Sequence, residues 1–180
     1  MLWLFRNDRY YETIAQDFVR DFDSRFRLGV AKHVAYIHTA LTQFGKFNDD
    51  VTETLLSQPK IVESLFVALL AENCTAWANA ISSKTERRFV EAVVGEGKRI
   101  YPKLLSDASE FYFMFRECKS DPLNTRVRIA CFALSKLGSV TQSMMNHLAS
   151  DPVAQLVVQG SLIEDGIAGI LADMKAGKRV

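Results

Sequence analysis

The chain has 180 residues, 48% of them hydrophobic and 24% charged, with 22 basic residues against 21 acidic ones. That length supports one domain around a single sizeable core, and so even a charge balance gives no global field to recruit nucleic acid or an anionic membrane. Four prolines, nine glycines and no repeated polar tract exclude a long linker.

Cys74, Cys118 and Cys131 are widely spaced inside apolar runs. They read as buried free thiols of a reducing compartment, which places the protein in the cytoplasm. The opening MLWLFRNDRYY has five apolar residues with no basic segment before them, too short for the apolar region of a signal peptide. Residues 1–7 are expected to fold into a groove of the protein, with contact to a membrane surface as the alternative.

Hydrophobic spacing is helical almost throughout. Tyr11, Ala15, Phe18 and Phe22 form one stripe, and Val30, Val34, Ile37, Leu41 and Phe44 form the next, at alternating steps of four and three. Asn48 and Asp49 offer caps for a short helix that Pro59 ends. Pro59 then opens an apolar helix over Ile61–Ile81. That segment nearly matches a bilayer in length, but Glu63, Glu72, Asn73 and Asn79 make it a buried helix of a soluble bundle. Ser83 and Glu86 have capping-box spacing ahead of Phe89, Val90, Val93 and Val94. Gly95, Gly97 and Pro102 predict a stop or kink before Tyr101-Pro102.

Leu104, Ala108, Phe111, Phe115 and Cys118 resume the four-three rhythm through the aromatic run EFYFMFR. Phe113 and Met114 fall off that seam, so either a second helix covers them or they mark a contact site. Two longer seams follow: Val127, Ala130, Leu134, Leu137, Thr141, Met144 and Leu148, then Leu156, Gly160, Ile163, Ile167, Ile170 and Met174. Each is introduced by Ser-Asp-Pro, at 120–122 and 150–152, with Asp as N-cap and Pro as first helical residue. The pair reads as an antiparallel hairpin of helices 122–148 and 152–175, followed by a basic tail over 176–180. The fold class is therefore all-α, a single-domain bundle of about seven helices over residues 1–180.

Motifs for chemistry are few. No Glu-x-x-His pair exists for a di-metal bundle, and His33 and His38, five apart, point roughly 140° from one another on a helix. His147 lies near a helix end, where it can meet free carbonyls. Asp49, Asp50 and Glu53 have a DDxxE spacing that could hold magnesium, though a solvated, capped first turn accounts for the same residues. Gly95-Glu96-Gly97-Lys98 lacks the strand, the gap and the Ser or Thr of a phosphate loop. Lys84, Arg87, Arg88, Lys98, Arg99 and Lys103 concentrate positive charge, but Glu86, Glu91 and Glu96 sit among them, as on a salt-bridged solvated face. Neither a Gly-x-Ser-x-Gly elbow nor a His-Glu-x-x-His helix occurs. No catalytic residue, metal or cofactor is predicted.

The expected function is non-catalytic binding through protein–protein contacts, most simply as a homodimer joined by the C-terminal hairpin. Candidate interface residues are Phe113, Met114, Gly160, Gly166 and Gly169, the glycines because a helix interior tolerates them at a cost of about 1 kcal/mol each unless a neighbour approaches closely. A small apolar-ligand sensor or carrier is the alternative, with Phe66, Trp77, Phe111, Phe115 and Met144 lining a pocket. A magnesium-dependent enzyme built on the DDxxE segment is the third reading. Nucleic acid is not an expected partner.

Overall fold

The computed structural model describes residues 2–79 and 83–164, which form eight α-helices and no strand. In chain order these are α1 (Leu2–Thr39), α2 (Asp49–Leu56), α3 (Pro59–Ala78), α4 (Ser83–Ile100), α5 (Ser109–Ser120), α6 (Thr125–Ser135), α7 (Gln142–Ser150) and α8 (Pro152–Glu164). A π-helical turn over Ala40–Phe44 continues α1, and a short 3-10 turn over Ser139–Thr141 precedes α7.

The first two stripes belong to one 38-residue helix. Ion pairs Asp21–Arg25 (2.9 Å) and Asp23–Arg27 (3.0 Å) run four residues apart through the stretch between them, where such pairs support a helix. Ala15, Val19, Phe22, His33 and Ile37 are buried along it, and Ala40 and Leu41 in the π turn that follows. The helix ends by widening into the π turn, in which Gly45 N donates to the Ala40 carbonyl at 3.2 Å. Lys46 follows at φ 56°. A Cβ on Gly45 would lie 2.6 Å from the Leu41 carbonyl oxygen, so only glycine fits this tight exit.

Asn48 caps α2 by accepting from Val51 N at 3.0 Å, and Pro59 begins α3 as its spacing predicts. α3 is the centre of the core. It packs on α1, α4, α5 and α6, and Leu65 through Ala71 are buried without interruption. A helix apolar all round has to be enclosed in this way. α4 does not stop at its glycines; it runs through Gly95 and Gly97 to Ile100. The four-three series from Leu104 is likewise not one helix, because residues 101–108 are a turn that buries Leu105 before α5 starts.

The predicted helix 122–148 is two helices. At its end α6 tightens to i→i+3 bonds (Lys136 N to Ala133 O, Leu137 N to Leu134 O, Gly138 N to Ser135 O), and Gly138 leaves at φ 82°. The Thr141 hydroxyl then gives the Leu134 carbonyl a second hydrogen bond, at 2.7 Å, tying the turn after Gly138 back to the end of α6. Val127, Ala130, Leu134, Thr141, Met144 and Leu148 are nonetheless all buried, so the seam is right although the helix is not continuous. The first Ser-Asp-Pro is also not a helix start. Asp121 closes a turn by accepting from Asn124 N (3.3 Å) and pairs with Arg128 (3.1 Å), and α6 begins three residues after Pro122. The second behaves as its sequence predicts: Asp151 Oδ1 accepts from Val153 N and Ala154 N, both at 2.8 Å, with Pro152 first in α8. α8 packs against α1, α6, α7 and the π turn.

Candidate interaction surface

The side chains with most chemical potential are committed to holding helices together. Arg126 on α6 donates from Nε to Glu72 Oε1 on α3 at 2.9 Å, and both side chains are buried. His33 of α1 is buried under the influence of the same arginine. Burial and the Arg126 charge bring its pKa from 6.5 down to about 3, so the imidazole is neutral at physiological pH. Burial, with Glu72 adding to it, pushes the Cys118 thiol up to about 12. Burial takes Cys131 to about 11 against the opposing charge of Arg128, and burial together with the Glu86 charge raises Cys74 further. All three cysteines are free, and none of them is poised as a nucleophile. Glu72 was visible as an acid inside an apolar run. Its partner was not, since Arg126 and Arg128 look alike in sequence and only one faces inward.

The three histidines occupy separate places. His38 Nε2 lies 3.3 Å from Asp49 Oδ1. His147 Nε2 stands 3.2 Å from the Ala40 carbonyl, which only accepts, so that nitrogen carries the proton. The carbonyl belongs to the π turn of α1, not to the histidine's own helix, and the imidazole ring also meets Phe47 edge-on. Among the described residues no group of three His, Cys, Asp or Glu side chains could hold a metal ion. Asp49 and Asp50 form the exposed first turn of α2, with Glu53 exposed one turn on. The basic stretch of α4 is threaded with ion pairs, Arg87–Glu91 (2.7 Å), Arg99–Glu96 (2.6 Å) and Glu86–Lys119 (2.5 Å).

The apolar pocket candidates are distributed through the core. Phe66 packs edge-on against Phe22, Phe26 and Tyr101, while Trp77 meets Phe18 edge-on and stacks on Phe89. Phe111 stacks on Phe115 within α5, and Met144 is buried on α7. A surface cleft of about 310 Å³ between α3, the 101–108 turn, α5 and the end of α6 is lined by none of these five. It presents Lys60, Lys103 and Lys136 against Glu63, Asp107 and Glu110. Lys136 is paired with Glu110 at 2.6 Å, and Asp107 accepts from Ser109 N at the start of α5.

Of the two residues left over from EFYFMFR, Met114 is buried and Phe113 is 47% exposed, stacked beside Phe132. Met114 is therefore core and not interface. Gly160 is half-buried, and the nearest atom to a Cβ placed there is Tyr36 Cε1 at 3.7 Å, an ordinary contact and not a close backbone approach. Gly166 and Gly169 lie outside the described residues, as do residues 176–180.

Among the described residues, exposed large aliphatic side chains recur over 123–156, at Leu123, Val140, Val153 and Leu156, while Leu28 stands exposed on α1. Leu156 is 68% exposed and Val153 47%, while Ala154 and Val158, on the other side of α8, are fully buried. Leu123 is 81% exposed in the turn before α6. That turn is tied to α8 by the Gln159 amide, which donates to the Leu123 carbonyl at 2.7 Å and to Asn124 Oδ1 at 3.1 Å. Sequence reasoning missed Leu123 and Val153, because exposure is a property of neighbours and leaves no local signature. The 127–148 seam, expected at a subunit interface, faces the protein's own core.

These features define an all-α, single-domain helical bundle with a charged pair at its centre and an uncovered apolar face on its last described helix. Comparison with protein-family models, with curated proteins and with solved structures finds no match for this chain.

Proposed function

We propose that this protein works by binding other protein surfaces and carries out no catalysis, and that self-association is the form the binding takes. The observation that carries the reading is the set of large aliphatic side chains left in water around α8, next to a core that is otherwise enclosed. Apolar groups scattered singly need no explanation, whereas a cluster of them on one face does. The disposition of the ionisable groups supports the same reading. Acids and bases on α4 and α5 are matched in pairs, the thiols are held protonated, and the buried charges neutralise one another. Sedimentation of the full chain at micromolar concentration tests the proposal. A dimer is expected, and a monomer that captures no partner under those conditions refutes self-association.

A further inference from the structure

We draw no further inference here: the strongest candidate, the surface cleft between α3, the 101–108 turn, α5 and the end of α6, sets three lysines against three acids and so selects neither an anion nor a cation, and nothing in the structure shows what would occupy it.

Discussion

Gly95 and Gly97 sit two residues apart on the same exposed-to-buried helix, and the structure gives opposite signs to the same substitution at each. A Cβ on Gly95 meets nothing within 4 Å. Gly95→Ala should therefore gain the full helix-propensity difference, about 1 kcal/mol, which for a chain of this length is a rise of about 2–4 °C in melting temperature. A Cβ on Gly97 lies 2.4 Å from Leu105 Cδ1, well inside contact distance. Leu105 is fully buried where the 101–108 turn folds back on α4, so its methyl has no open space to move into. Overpacking of this kind costs about 1–3 kcal/mol, which outweighs the propensity gain and leaves Gly97→Ala destabilised by about 1 kcal/mol. The two variants should differ by about 2 kcal/mol in urea unfolding at unchanged denaturant slope. Removing the obstructing methyl with Leu105→Ala should make the Gly97→Ala step favourable again, as a double-mutant cycle would show. Equal stabilisation by both alanines would refute the packing argument. It would mean that the 101–108 turn is not pressed against α4.

Three other outcomes are expected. Arg126→Met strands the Glu72 carboxylate in the core and should cost about 3–5 kcal/mol, whereas Glu72→Leu combined with Arg126→Met should lose far less; equal losses in urea melts would show that the pair is not buried as described. His33 faces Arg126 of α6, itself paired with Glu72 of α3, and is held neutral in the folded protein by burial and by that charge. Its folded pKa lies below its unfolded one, so stability is complete above about pH 6.5, falls as the unfolded chain takes up the proton, and levels off below about pH 3. Between pH 7 and pH 5 the loss from this residue is about 2 kcal/mol. A His33→Gln variant should show a shallower fall over that interval, and parallel curves for the two proteins would refute the assignment. Asp151→Ala removes the acceptor for Val153 N and Ala154 N and should destabilise by about 1 kcal/mol, measured by thermal unfolding, while Asp121→Ala should leave helix content unchanged because Asp121 closes a turn.

Much of the architecture was legible in single residues and short spacings. The all-α class followed from periodicity, and the starts of α2, α3 and α8 from Asn48, Pro59 and Asp151-Pro152, because capping is settled within one turn of chain. Burial along 127–148 was also legible, since a 3.6-residue period reports which side chains share a side. Helix continuity was not. Gly95 and Gly97 are passed through because α4 is braced by α1 and α3, and Gly138 breaks a rhythm that its neighbours keep. Propensity is a difference of about 1 kcal/mol per residue, which packing overrides in either direction.

For the candidate surface the division is sharper. The sequence shows that Leu156 begins an uncharged apolar stripe, and that Glu72 needs a cation. Only the folded protein shows that Arg126 is that cation, and that α8 rests on Ala154 and Val158 with Leu156 facing away. A helical stripe records that side chains point together, because that depends on backbone geometry within a few residues. The direction in which they point depends on the rotation of the whole helix about its axis, and contacts with α1, α6 and α7, distant in the chain, set that rotation.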